Sequence, residues 1–133
     1  MPSSSSPNRE YALSEEEAAE ARRLFEALQA FRDEYSDMTV AQAAALLLAA
    51  SANEPLSMSG IRSSLDVAAS TATRAVLTLS KVGPGASQNE ESGLIAQTVD
   101  PKDRRWRFAH CTPSGIRTVR RALSKLRPLD PEK

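Results

Sequence analysis

Cations and hydroxyl groups in two short segments carry the chemistry that this sequence suggests. The first segment, Asp100 to Arg105, reads D-P-K-D-R-R and places three cations in a turn: Lys102, Arg104 and Arg105. Arginine on a projecting turn suits phosphate oxygens or a narrow DNA minor groove, where negative potential is concentrated. The sequence therefore predicts an exposed loop that binds an anionic partner.

The second segment is a predicted helix from about 69 to 82, whose apolar stripe is Ala72, Ala75, Val76 and Leu79. Its other side carries small hydroxyl residues around one long cation, namely Ser70, Thr71, Thr73, Arg74 and Thr78. Small residues let a backbone approach a DNA duplex, hydroxyls reach phosphates or base edges, and arginine can bind guanine. A plain solvated helix is the alternative, although Ser and Thr are mediocre helix formers.

Leu77 is a large apolar residue that falls outside this stripe, about 140° from Ala72 at 100° per residue. It is either exposed for contact with a thymine methyl group or covered by neighbouring chain. The polar segment 83–92 is a candidate cover, and we expect partial cover.

Two strand-like runs and several helices must position these segments. Residues 94–99 and 106–111 flank the cationic turn as a β-hairpin. Ser14 with Glu17, and Thr39 with Gln42, form capping boxes that predict two N-terminal helices, the first with an apolar stripe along about six turns. Further predicted elements are a short strand at 56–58, a helix capped by Ser59, and a last helix from Thr112-Pro113 to about 127.

The charges are divided between the two halves of the chain. Residues 1–60 hold 4 basic and 10 acidic side chains, whereas residues 61–133 hold 13 basic and 7 acidic ones. The zero net charge therefore hides an acidic half and a basic half, and the basic half suits an anionic partner. Two solvated helix faces of opposite sign would give the same count.

Other chemistry is sparse. His110 and Cys111 are adjacent, which is poor geometry for ligating one metal from a strand, so we expect a structural role, no metal and no cofactor. No glycine-rich phosphate loop, carboxylate pair or nucleophile–base set indicates an enzyme. With one cysteine, no secretory signal and no apolar run that could span a bilayer, we expect a soluble cytoplasmic protein.

From Leu56 to Gly115 the chain resembles the winged helix-turn-helix of the MarR family of bacterial transcription regulators. L-S-M-S-G-I-R-S-S-L-D-V looks like the first motif helix, A-S-T-A-T-R-A-V-L-T-L-S-K-V like the recognition helix, and G-L-I like the entry to the wing. D-R-R, followed seven residues later by T-P-S-G, matches the wing-to-helix signature and is fairly specific.

The resemblance implies a mainly α fold with a small β-hairpin wing, and helices at both termini forming a dimerisation region. It implies recognition positions at Ser70, Thr71, Thr73 and Arg74, a wing arginine at Arg105 and a bracing carboxylate at Asp103. Lys102 and Arg104 become supporting contacts to the DNA backbone. Such proteins are commonly homodimeric repressors that release DNA when a small aromatic ligand or oxidation distorts the dimer.

The chain departs from the family pattern at several positions. Ala68 and Ala69 stand where a polar cap and proline are common, Gln97 replaces a basic residue, and 83–92 looks like an insertion of about ten residues. The register of the second hairpin strand stays open: family spacing turns Ala109 and Cys111 inward, whereas binary patterning would bury residues 106 and 108.

The sequence thus predicts four regions: a disordered tail at 1–12, N-terminal helices at 13–54, a winged helix-turn-helix at 55–112, and a C-terminal helix and tail at 113–133. The leading hypothesis is a dimeric transcription regulator that binds double-stranded DNA through the major and minor grooves, with repression as the expected outcome. The alternative is a winged-helix protein-interaction module or accessory factor without sequence-specific DNA binding.

Overall fold

The described part of the chain folds into five helices and a small antiparallel sheet. The computed structural model describes residues 12–82, 93–103 and 105–128. The elements run α1 (Glu15–Glu34), α2 (Val40–Ser51), β1 (Leu56–Ser57), α3 (Met58–Leu65), α4 (Ala69–Leu79), β2 (Ile95–Val99), β3 (Arg107–Cys111) and α5 (Pro113–Leu126). The predicted mainly α fold with a β-hairpin wing is confirmed. The predictions for the tail at 1–11, the insertion at 83–92 and Arg104 lie outside the described residues.

Local capping fixes the starts of the first two helices. The Glu17 amide donates to Oγ of Ser14 and the Ser14 amide donates to Oε1 of Glu17, both at 3.0 Å. Thr39 and Gln42 make the same reciprocal pair at 3.0 and 3.1 Å. Each pair satisfies two amides that a helix start leaves without a partner, so both predicted capping boxes are confirmed.

Helices α1 and α5 pack together along their lengths. Arg121 forms a 2.9 Å ion pair with Glu34, and the buried Thr118 hydroxyl donates to the same carboxylate at 3.3 Å. Near the other end, Nε of Arg23 donates to the Leu126 backbone oxygen at 3.2 Å. These contacts attach the first helix of the chain to the last described one.

The apolar stripe of α1 is only partly covered. Ala27, Ala30 and Phe31 are buried, whereas Leu24, Phe25 and Leu28 are 53, 48 and 44% exposed. The end of α5 repeats this pattern, since Leu123 and Leu126 are also exposed. The α1–α5 pair therefore carries a row of apolar side chains that the described chain leaves open to solvent.

Helix α2 supplies the centre of the core. Ala45 and Leu46 have no exposed surface, and Ala43 and Ala49 are nearly as buried. Two apolar residues of the helix are exposed, Val40 at its start with 81% of its surface and Leu47 with 38%.

The helix-turn-helix consists of α3 and α4. The predicted cap at Ser59 is wrong: Oγ of Ser57 accepts from the Gly60 amide at 3.0 Å, so α3 begins two residues earlier. Asp66 ends α3 with a left-handed backbone, φ 56°, a conformation that aspartate tolerates better than most residues.

Helix α4 differs from its prediction at its C-terminal end. It stops at Leu79, short of the expected residue 82, where the Ser80 hydroxyl donates to the Leu77 backbone oxygen at 2.7 Å. Its N-cap, Ala68, makes no side-chain hydrogen bond. All four residues of the predicted apolar stripe are buried, so packing of this stripe holds the helix against the core.

Strand β3 lies in the middle of the sheet, between β1 and β2. Ala109 pairs with Leu56 on one side and Gln97 on the other, and it is fully buried. Trp106, in contrast, is 51% exposed. Family spacing, and not binary patterning, therefore gives the correct inward face of this strand.

A single hydroxyl links the sheet to the last helix. Oγ1 of Thr112 donates to the backbone oxygens of Gly93 and Leu94 and accepts from the Gly115 amide at 3.0 Å. The Leu94 amide donates to the Leu79 backbone oxygen at 2.8 Å. The end of α4, the start of β2 and the start of α5 thus meet at one point, which ties the hairpin to both helices.

Within the described ranges, no helix has both the length and the apolar character needed to cross a bilayer.

Candidate nucleic-acid interface

One face of α4 is largely open to solvent. Ser70, Thr71, Thr73 and Arg74 are exposed, and Thr78 is half-buried. The buried stripe of the same helix lies on the opposite side, so these side chains project away from the core. A face of short hydroxyl side chains around one arginine can approach a duplex closely while it donates hydrogen bonds.

Leu77 belongs to this same face. It follows Arg74 by three residues and Ser70 by seven, which places all three on one side of a helix, and it is 38% exposed. The cover expected from 83–92 lies outside the described residues.

The turn between β2 and β3 is closed by its own backbone and carboxylates. The Asp100 amide donates to the Trp106 oxygen, and the Trp106 amide donates to the Asp103 oxygen, both at 3.0 Å. Oδ1 of Asp100 accepts from the Lys102 amide at 2.8 Å. These hydrogen bonds give the described residues of the turn a defined backbone at the tip of the hairpin.

Arg105 and Asp103 form a bidentate ion pair within this turn. Nε of Arg105 donates to Oδ1 at 3.0 Å, an Nη donates to Oδ2 at 2.9 Å, and the Arg105 amide also donates to Oδ1. The Arg105 side chain and amide lower the pKa of Asp103, and the carboxylate raises the pKa of Arg105. Both groups therefore stay charged through the neutral range.

The ion pair leaves Arg105 with donors to spare. A guanidinium has five N–H groups, the pair engages two of them, and 88% of the side chain is exposed. Arg105 can thus bind a phosphate while Asp103 fixes its direction, although the carboxylate offsets its charge. The assignment of Asp103 as a wing brace stays a prediction.

A groove of 720 Å³ separates the hairpin from the helix-turn-helix, and we call it the interface groove. Its walls come from α3, α4 and the hairpin: Met58, Ser59, Thr73, Gln97, Arg105, Trp106 and Arg107. It brings together two of the predicted site residues, Thr73 and Arg105. Ser70, Thr71 and Arg74 lie along α4 beside it, Lys102 lies at the hairpin tip, and Arg104 falls outside the described residues.

Sequence reasoning missed Trp106, Arg107 and Met58 as residues of this groove. Trp106 directly follows the cationic turn, and its position next to Arg105 was the signal that could have identified it. Once Ala109 is assigned inward, Arg107 is assigned to the same side of the strand, next to the helices.

Cys111 lies away from the interface groove, and its surroundings make its thiol unreactive. It is half-buried, and burial raises the pKa of its thiol to about 11. The thiol therefore stays protonated near neutral pH, where a nucleophilic or redox-sensing cysteine needs the thiolate.

Comparison with known proteins identifies the fold. No protein-family model and no curated protein matches the chain. A mutant of Staphylococcus aureus MepR bound to an oligodeoxyribonucleotide has a similar structure, with a TM-score of 0.60 and 25% sequence identity, covering 78% of this chain and 67% of that one. The structure of MepR bound to ethidium bromide is also similar, with a TM-score of 0.57 and 23% sequence identity, covering 89% of this chain and 77% of that one.

A third similar structure is a probable transcriptional regulator from Pseudomonas aeruginosa, with a TM-score of 0.52 and 21% identity, covering 82% of this chain and 71% of that one. The MarR-like winged helix fold predicted from the sequence is thereby confirmed.

Proposed function

We propose that the chain is a DNA-binding transcription regulator that acts as a homodimer. The interface groove carries this proposal, because it joins a residue of the predicted recognition helix, Thr73, to the predicted wing arginine, Arg105, on one solvent-exposed side. In this arrangement α4 enters the major groove and the hairpin follows the adjacent minor groove or backbone. A similar fold is seen in MepR bound to an oligodeoxyribonucleotide, which supports the proposal.

Repression is the regulatory outcome that we propose, since a dimer bound across a promoter competes with transcription. A small aromatic effector would relieve it. The support for an effector is the structure of MepR bound to ethidium bromide, a planar aromatic cation, on a similar fold.

The salt dependence of binding to random duplex DNA tests the proposal most directly. Each phosphate that the protein neutralises releases counterions, so affinity for duplex should fall steeply as salt rises. Arg105→Ala should flatten the slope of log affinity against log salt by about one unit. Arg32→Ala, which removes the same charge from α1 outside the winged helix, should leave the slope unchanged.

The ion pair permits a sharper version of this experiment. Arg105→Ala also leaves Asp103 as an unpaired carboxylate near DNA, whereas Arg105→Ala with Asp103→Asn removes both charges. If Arg105 donates hydrogen bonds to DNA, the affinity of the double variant for duplex stays low. If Arg105 only offsets the charge of Asp103, the double variant regains the affinity of the unaltered protein. Absence of duplex binding by the unaltered protein at low salt would instead favour a winged-helix protein-interaction module.

Arg74 is expected to read sequence. Its side chain is exposed in the middle of α4, where bidentate contact with guanine is possible. Arg74→Ala should cost about 1–3 kcal/mol on the preferred site and relax the preference at one base pair. Selection of bound sites from a random duplex pool measures this, and it should also return a palindrome with half-sites about one helical turn apart. An equal loss of affinity for all DNA sequences would indicate that Arg74 contacts only a phosphate.

A further inference from the structure

Trp106 is the single tryptophan of the chain, and about half of its surface is open to solvent. Tryptophan offers a large apolar surface and is enriched where proteins bind partners. The residue is absent from the DNA-contacting set that the sequence predicts, although it lines the same groove as Thr73 and Arg105.

The backbone of Trp106 is fixed in place. Its amide and its carbonyl both make 3.0 Å hydrogen bonds that close the hairpin turn, one with Asp103 and one with Asp100. The same turn holds the Arg105–Asp103 ion pair. Trp106 and Arg105 are therefore positioned together, and a partner that contacts one of them meets the other without rearrangement of the hairpin.

The chemistry around Trp106 favours an anionic partner with flat or apolar surfaces. Arg105 and Arg107 flank it in sequence, and Met58 adds apolar surface across the groove. Among the described residues that line the interface groove, none is acidic. Nucleic acid combines phosphates, which guanidinium groups bind, with sugar and base faces, on which aromatic and other apolar side chains pack.

We propose that Trp106 is a direct DNA contact whose ring packs against the sugars or base edges of the duplex, while Arg107 binds a neighbouring phosphate. The inference rests on the proposed function and deepens it, because it adds an apolar contact to a hairpin whose other proposed DNA contacts are made by charged side chains. The interface then extends from α4 across the groove to the tip of the hairpin.

Because the chain has one tryptophan, its fluorescence reports on this position alone. Duplex is titrated into the protein while binding is followed independently by the anisotropy of a label on the DNA. The tryptophan emission should change with the same midpoint as the anisotropy, and bound duplex should protect it from iodide quenching. Emission and quenching that stay constant while the anisotropy saturates would overturn the inference and leave the proposed function intact.

Substitutions give a second, independent readout. Trp106→Ala should weaken duplex binding by about tenfold, the size expected for removal of one aromatic side chain from the interface, whereas Trp106→Phe should retain most of the affinity. Thr98→Ala is the matched control, because Thr98 is exposed on the same hairpin and is not among the residues that line the groove. Thermal melting identifies loss of fold in Trp106→Ala, in which case the quenching result on the unaltered protein decides.

Equal affinity of folded Trp106→Ala and the unaltered protein overturns the inference alone. Absence of any duplex binding by the unaltered protein overturns the inference together with the proposed function.

Discussion

Gly115→Ala is expected to destabilise the fold by about 3 kcal/mol, the upper part of the usual range for overpacking a closed site. A Cβ on Gly115 would overlap the backbone oxygen of Leu94 and lie 2.6 Å from Sγ of Cys111. The first of these is main chain, and it already accepts hydrogen bonds from the amide and hydroxyl of Thr112. The clash therefore falls on the point where β2, β3 and α5 are joined.

Urea unfolding with circular dichroism measures the effect as a lower midpoint at unchanged slope. Gly60→Ala is the matched control, because a Cβ there meets only the side-chain oxygen of Ser57, at 3.1 Å, and alanine favours the helix. The control should stay within about 1 kcal/mol of the unaltered protein. A Gly115→Ala protein with an unaltered midpoint would show that the β2–α5 junction is looser than its hydrogen bonds indicate.

The sequence predicted those parts of the fold that depend on local chemistry. Both N-terminal helices begin where their capping boxes place them, and the last begins at Thr112-Pro113, because a cap needs only residues within one turn. The apolar stripe of α4 was also correct, since periodicity alone identifies the buried face of an amphipathic helix.

The sequence was wrong, or left the answer open, where two neighbouring choices are chemically similar or where the outcome depends on distant parts of the chain. Ser57 and Ser59 are both plausible caps for α3, and pairing of Leu56 with Ala109 places Ser57, not Ser59, at the helix start. The inward face of β3 could not follow from hydrophobicity, since it presents the small Ala109 to the core and leaves Trp106 outside. Helices pack against the inward face of this central strand, and a small residue fits the limited space between the strand and the helices.

The residue types of the candidate site were predictable from the sequence, but the predicted set of residues was incomplete. Thr73, Arg74 and Arg105 are exposed as the sequence predicted, but the groove between α4 and the hairpin also includes Trp106 and Arg107. Arg107 became assignable only with the register of β3, which turns it to the same side as Ala109, and Trp106 only with the hydrogen bonds that close the turn before the strand. The roles of all these residues in DNA binding stay predictions until the variants are measured.

Leu24→Glu with Leu28→Glu is expected to convert the protein to a monomer and to lower operator affinity by about 10²–10⁴-fold. Both side chains are about half exposed on α1, and they lie with Phe25, Leu123 and Leu126 on the α1–α5 pair. A row of large apolar side chains on two packed helices is typical of a surface that a partner covers. Two new carboxylates there would have to be buried in a symmetric interface, and their desolvation would oppose association more strongly than the loss of leucine packing alone.

Sedimentation equilibrium measures the oligomeric state, and binding to a palindrome and to an isolated half-site separates dimerisation from DNA contact. Affinity for the half-site should be nearly unchanged, because α4 and the hairpin are untouched. Val40→Glu is the control, since Val40 is 81% exposed at the start of α2, where a carboxylate suits the helix dipole. A double variant that remains dimeric would place the dimer contact elsewhere, and equal losses on both DNAs would mean that the α1 substitutions disturb the winged helix itself.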